Sequence, residues 1–450
     1  MSTSSAGLLA ARRPIPIATL AITAALKALY ALLCAPEFVF LAALAAMLFR
    51  PPDLQAVPFD RIAFVLLLAV SALGLLLRHE RIRLYASSWP MLALLLLGLW
   101  GVLAQPYDAK AWSVLAAKWI VPVAMFHIAG SIFSSEKSRR MLEWFSIAVL
   151  LYLSLTAVFF LFDLRSLIFP RFILDEGIGI HADRARGPFL QAVANGVCLN
   201  VIGLIALNSF SRGRLRGILA AVLFVATPLA LLATKTRAVW LGAAMSVSAF
   251  VFFGRGRRSR LVAIAIASIA GTAFCAALLL QTGTGAMSNR LQDRSPVEFR
   301  VDMYRAGWQM FTEKPLLGWG SEANVQPEIA KRVSSFHPEY YIFHNTYLEL
   351  AVERGILGLL LYGWLFLSLF CLNAKASDDE ADESFSGPGF GLAWRTALCV
   401  YLLNASVVVM NYQFLNGYMF TIAGILAAQQ RSRSWALLSR GGASEDCVPV

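Results

Sequence analysis

Charge is scarce in this chain: Asp, Glu, Lys and Arg make up 15% of its 450 residues, whereas hydrophobic residues make up 58%. Soluble globular domains carry about a quarter charged residues, so an ordinary water-soluble domain is excluded. Metal-ligand spacing is absent among the six cysteines, Cys34, Cys198, Cys275, Cys371, Cys399 and Cys447, which argues against a zinc site; five of them fall in or beside apolar runs, where no disulfide is expected. The chain also lacks a Walker loop, a dinucleotide-binding glycine motif, a Ser-His-Asp signature and an internal repeat, which leaves no sign of nucleotide or nicotinamide chemistry.

What is present is apolar sequence in long runs. Mean hydropathy is +0.65, and runs of roughly 17 to 25 residues, the length needed to cross a bilayer as a helix, recur along the chain. The reading is an all-α polytopic membrane protein. Arg12 and Arg13 precede the first apolar stretch without a convincing small-residue cleavage site, so that stretch reads as a retained span and no cleaved signal peptide is expected. A net charge of +12 would suit a nucleic-acid binder, but most arginines fall in short connectors between spans, where they set orientation; no nucleic-acid partner is expected.

The basic connectors at residues 78–83, 137–140, 212–216, 255–260 and 431–440 are assigned to the cytoplasm. The segments between them, 105–111, 163–187, 234–237, 281–344 and 411–416, then face outward, and the alternation gives about twelve spans. The chain divides into residues 1–280 with transmembrane helices and short loops, 281–345 as a large periplasmic loop region, 346–430 with the last transmembrane helices, and 431–450 as a cytoplasmic tail. The acidic run within residues 373–391 reads as solvated and is given no function. The loop of 281–344 is polar, rich in aromatic residues and longer than an ordinary connection, so it is expected to fold over the membrane face as a lid. Within it, 297–312 reads as a helix with Phe299, Met303, Ala306 and Met310 on one stripe, stopped by Pro315 and followed by Gly318-Trp319-Gly320.

Chemistry concentrates on the outward side. Arg184 and Arg186 precede one span and Arg237 opens another, so their guanidiniums are expected to converge on an anion, which would relieve their mutual repulsion. The bland alternative is arginines snorkelling to lipid headgroups. His344 stands at the start of a span, with Asn345 and Thr346 suited to cap the helix and Tyr340, Tyr341, Phe343 and Tyr347 around it, a composition suited to a sugar surface. A neutral imidazole there would serve as a general base. His181 and His337 are the competing histidines and read as loop residues. The outward segments contain no Asp-x-Asp pair for magnesium.

The ordered set Arg184-Ala-Arg186-Gly-Pro-Phe with Asn195, Thr-Lys-Thr-Arg237-Ala-Val-Trp, Arg300-Val-Asp-Met-Tyr304 running to Lys-Pro315-Leu-Leu-Gly318-Trp-Gly320, and His344-Asn-Thr-Tyr-Leu-Glu-Leu-Ala-Val-Glu-Arg-Gly-Ile-Leu-Gly resembles the O-antigen ligase and polymerase superfamily over roughly residues 180–360. The resemblance implies an inverting, metal-independent, cofactor-free glycosyltransferase of the bacterial inner membrane, multi-pass, with its active site facing the periplasm. It implies an undecaprenyl-diphosphate-linked glycan as donor and, for a ligase, a sugar hydroxyl of lipid A-core as acceptor; membrane lipids are further partners. The family's histidine falls on His344 as base, and its arginines fall on Arg184 or Arg186, Arg237 and Arg300 as diphosphate ligands. Tyr304, Asn345 and Tyr347 are assigned as sugar or lid contacts, although Tyr304 stands where the family often has tryptophan. A ligase is the first expectation, a polymerase using the same donor the second, and a lipid-linked oligosaccharide flippase the third.

Overall fold

The structure, a computed structural model, describes residues 35–50, 58–77, 79, 82–254, 257–281, 295–333, 341–372 and 389–441. Those residues form helices and connectors without a strand. The elements are α1 (Pro36–Leu48), α2 (Phe59–Leu77), α3 (Ser88–Leu103), α4 (Ala109–Ile132), α5 (Glu136–Leu161), α6 (Ala192–Ser211) and α7 (Gly217–Ala233). They continue as α8 (Arg237–Phe253), α9 (Arg257–Gln281), α10 (Ser295–Glu313), α11 (Glu322–Ala330), α12 (Thr346–Phe370), α13 (Phe390–Ala405) and α14 (Gln413–Gly441).

Among the described residues, α2, α4, α5, α6 and α12 are long and apolar enough to cross a membrane. The apolar helices α1, α3, α7 and α8 are shorter. Pro36 opens α1, where proline's fixed φ and missing N–H suit the first turn; the apolar stretch read as a retained first span begins outside the described residues. The last helix passes residue 430 and ends at Gly441, so the expected tail begins inside it.

At the centre stands α6, buried along most of its length. Helices α5, α7, α8 and α13 pack around it, while α4 and α14 form a second close pair. The apolar side chains form one continuous core across these helices. Two of the polar pairs inside it show how desolvation is offset: Tyr418 donates to Ser146 Oγ at 2.6 Å, and Arg214 meets the buried Glu143 at 2.9 Å.

The helix expected at 297–312 is α10, and Met303, Ala306 and Met310 are buried as its stripe requires. They pack with Val325 and Ile329 of α11 and with Tyr341, Phe343 and Val352, a second small core outside the bundle. Two features bolt this unit down. The Gln326 amide donates to the Tyr341 carbonyl and accepts from its N–H, both at 2.9 Å.

The other is a break in α12. Gly355 has φ 63°, ψ −161°, which interrupts the helical hydrogen bonds in mid-helix. The Lys-Pro-Leu-Leu-Gly-Trp-Gly segment repairs the interruption. Trp319 and Gly320 donate to the freed carbonyls of Val352 and Glu353 at 2.8 and 3.0 Å, and Ile356 donates to Pro315 at 2.8 Å. A membrane helix tolerates irregular backbone only where protein meets the released groups, and here the loop does so. Gly318, at φ 70°, is needed because a Cβ there would strike the Val352 and Glu353 backbone.

Candidate functional site

Four connectors meet at one end of the bundle: the loop before α6, the turn between α7 and α8, the segment before α12, and the turn between α13 and α14. Ala185 is the anchor of the first. Its N–H donates to the Ala233 carbonyl at the end of α7 (3.0 Å), and its own carbonyl accepts from Asn195 Nδ2 of α6 (2.9 Å). This explains Asn195 in the motif as a positioning residue, packed so closely on Gly187 that a Cβ there would collide with it.

The anchor sets Arg184 beside the α7–α8 turn. Lys235, in the left-handed conformation with φ 48°, donates to the Asp183 carbonyl at 3.1 Å. Burial lowers the pKa of the Arg184 guanidinium; burial and then the charge of Arg184 lower that of the Lys235 ammonium. Arg184 Nε is buried without a hydrogen-bond partner, with the Asp183 carboxylate 4.0 Å away. Arg237 is exposed on the first turn of α8. Arg184 and Lys235 therefore stand close together just before the first turn of α8, which Arg237 opens and where the backbone dipole favours an anion. Lys235 was not singled out from the sequence, although its motif contains it.

Arg186 differs. Its guanidinium is 2% exposed and donates to the carbonyls of Ile173 (3.1 Å), Ile178 (2.6 Å) and Asp175. With its fork spent on backbone acceptors, it braces the 171–178 loop, and the expected convergence of Arg184 with Arg186 on one anion is not what the geometry gives. The two arginines are separated in role by which of them finds carbonyls.

His344 sits just before α12 with φ 52°, a left-handed conformation that is uncommon without glycine. Its half-buried ring meets Phe299 edge-on, with centroids 6.2 Å apart. Burial, then the charges of Arg300 and His181, lower its pKa, so the imidazole is neutral at neutral pH. Arg300 follows Phe299 on α10, and Tyr304 lies one turn further on the same helix. The charge of His181, read from the sequence as a loop residue, is thus felt at His344. His337 lies outside the described residues.

Asn345 and Tyr347 serve structure. The Asn345 side chain accepts from the N–H groups of Tyr347 (2.9 Å) and Leu348 (3.1 Å), the expected cap. Tyr347 directs its hydroxyl into the bundle, donating to the Leu402 carbonyl at 2.8 Å. Thr346 does not cap; its hydroxyl donates to the Val408 carbonyl (2.8 Å) and accepts from Met410 N–H (3.0 Å), tying the helix start to the α13–α14 turn. Groups of His, Cys, Asp and Glu able to hold a metal are not found among the described residues.

A helical membrane protein with a cation cluster and a neutral histidine at one end of its bundle is the class defined by fold and site. Residues 219–363, which include Arg237, Arg300 and His344, match the family model described as O-antigen ligase. The chain is also similar to the exopolysaccharide production protein ExoQ of Rhizobium meliloti (strain 1021), 26% identical over 193 residues. That alignment covers 41% of this chain and 43% of the relative's length. Both are likenesses over part of the chain, the first within residues 219–363 and the second over less than half of either protein.

Proposed function

We propose that the protein is an O-antigen ligase, transferring a glycan from undecaprenyl diphosphate to a sugar hydroxyl of lipid A-core at the periplasmic face of the inner membrane. The observation that carries this reading is the pairing of Arg184 and Lys235, two half-buried cations held together at the N-terminus of α8 with Arg237. A diphosphate satisfies all three and relieves their repulsion. Arg300 acts instead at His344, where its charge holds the imidazole pKa down.

In the reaction, the acceptor oxygen attacks the anomeric carbon from the face opposite the diphosphate, and a C–O bond forms as the carbon–oxygen bond to phosphate breaks. The electron pair passes to the diphosphate, whose growing charge the cations stabilise. The acceptor proton passes to His344, which is neutral and able to take it. One displacement inverts the anomeric configuration, and the donor's own leaving group supplies the driving force. Tyr304 remains the candidate sugar contact, one turn from Arg300.

A second reading, a polymerase that extends the lipid-linked glycan with the same residues, is favoured by the relative whose name assigns it to exopolysaccharide production. Purified protein given lipid-linked polysaccharide and lipid A-core, in EDTA and without nucleotide, separates the two. Polysaccharide-bearing lipopolysaccharide is the expected product. Elongation of the lipid-linked glycan with lipid A-core unmodified establishes the polymerase instead, and strict metal dependence overturns the account of leaving-group stabilisation by arginine and lysine.

A further inference from the structure

A lysine lies inside a membrane-spanning helix, away from the cation cluster. Lys118 stands in the π-helical turn Ala116–Ile120 of α4 and meets Glu349 of α12 at 2.7 Å, with side chains 11% and 18% exposed. Charged pairs within spans are costly and are retained for a function or for placement. π-turns, which insert a residue into a helix, recur at functional positions.

The turn has an identifiable cause. Pro122 lacks the N–H that would reach back five residues to the Ala117 carbonyl, and Asn416 of α14 supplies the donor instead, at 3.0 Å. Tyr401 of α13 fixes that amide by donating to Asn416 Oδ1 at 2.8 Å. The extra residue alters the rotation of α4 at Lys118, and the buried amide keeps it there. Two helices remote in sequence thus hold one lysine against α12.

From Glu349 the path to the candidate base is short. The Glu349 N–H donates to the Asn345 carbonyl at 3.0 Å, the first turn of α12, and Asn345 follows His344 directly. His344 itself holds a left-handed φ of 52°. A non-glycine residue persists in that region only when its surroundings over-determine it. Thr346 and Tyr347 fix the turn against α13 and its following connector, and Glu349 fixes it against α4.

We infer that Lys118 is a positioning residue for glycan transfer, acting through its ion pair with Glu349 to hold the first turn of α12 and with it the His344 imidazole. It touches no reacting atom. The inference rests on the reading of His344 as the base. Loss of the ion pair lets the turn shift, and displacement of a reacting group by about 1 Å costs up to a hundredfold in rate.

The test compares purified Lys118→Met, Lys118→Arg, the exchange Lys118→Glu with Glu349→Lys, and His344→Ala in a transfer assay at saturating donor. Melting temperature is measured on each preparation. Lys118→Met is expected to lose between about tenfold and a hundredfold in kcat with KM for the donor within about twofold. Lys118→Arg and the exchange are expected to regain most of the rate. Wild-type kcat in Lys118→Met overturns the inference, as does a fall in KM affinity alone. If Lys118→Met does not fold, a folded exchange variant that stays inactive overturns it. An inactive His344→Ala beside an unaffected Lys118→Met removes only this inference, whereas an active His344→Ala removes the reading of His344 beneath it.

Discussion

Ile356 donates its backbone N–H to the carbonyl of Pro315 at 2.8 Å, so a loop outside the bundle completes the hydrogen bonding of a broken membrane helix. The break at Gly355 and the loop at Gly318 are one construction, because the carbonyls released by the first are the acceptors for the second. The outer part of α12, which follows His344, is thereby joined to α10, which carries Arg300. The two motifs that look separate in sequence, the Gly-Trp-Gly segment and the Glu-Arg-Gly segment, meet in space as a single joint.

Gly355→Ala is expected to destabilise the protein strongly. The left-handed φ of 63° would strain an L-residue, and the added Cβ would collide with the Leu316 and Pro315 carbonyls. A loss of about 1 to 3 kcal/mol follows from the conformation alone, before the collision is counted. Thermal unfolding in detergent measures it, with Gly363→Ala as control, since a Cβ at Gly363 meets nothing within 4 Å. Equal melting temperatures for the two variants would show that the joint does not matter to stability.

The pH dependence of transfer should report His344. Its pKa is lowered from the ordinary 6.5 by burial, Arg300 and His181, so the base form persists below that pH and the acid limb of the rate should fall at a midpoint under 6.5. Replacing Arg300 with Gln removes one repelling cation, and the midpoint should move upward. The sign for stability is the same: the unfolded state takes up the proton first, so the contribution is present above 6.5 and is lost as pH falls through the lowered native pKa. A downward shift in Arg300→Gln would contradict the arrangement.

Arg184 and Arg186 should part company under substitution. Arg184→Ala and Lys235→Ala are expected to weaken donor use by at least about tenfold while melting temperature changes little, since both side chains face a half-buried site. Arg186→Ala should lower stability by about 1 to 3 kcal/mol, because the carbonyls of Ile173, Ile178 and Asp175 lose their donor. A melting temperature unaffected in Arg186→Ala would return that arginine to the ligand-binding set.

The alternation of basic connectors puts one expectation of sidedness to the test. Single cysteines placed beside Arg184, Arg237 and His344 should all react with an impermeant thiol reagent in intact spheroplasts. Protection of any one until the membrane is opened would break the common site.

Much of this was legible in the residues. Apolar runs without charge fix helices by hydrophobicity and backbone satisfaction alone, so the all-helical class could be read directly. Asn345 as cap, the α10 stripe of Met303, Ala306 and Met310, and Arg237 at the head of α8 are local patterns, decided within a few residues of the chain. Which arginine the backbone carbonyls engage is not local. Arg184 and Arg186 look equivalent in sequence, and they differ because carbonyls of the 173–178 loop fold around Arg186, while the Ala185 anchor delivers Arg184 to Lys235. The charge of His181 is felt at His344, and Lys118 reaches Glu349 across 231 residues of chain, through helix packing that no short pattern encodes. Sequence by itself determined the helical class and the residue types able to hold an anion or take a proton. Tertiary structure decided which of them meet, because a buried charge must find its partner wherever the packed helices bring one.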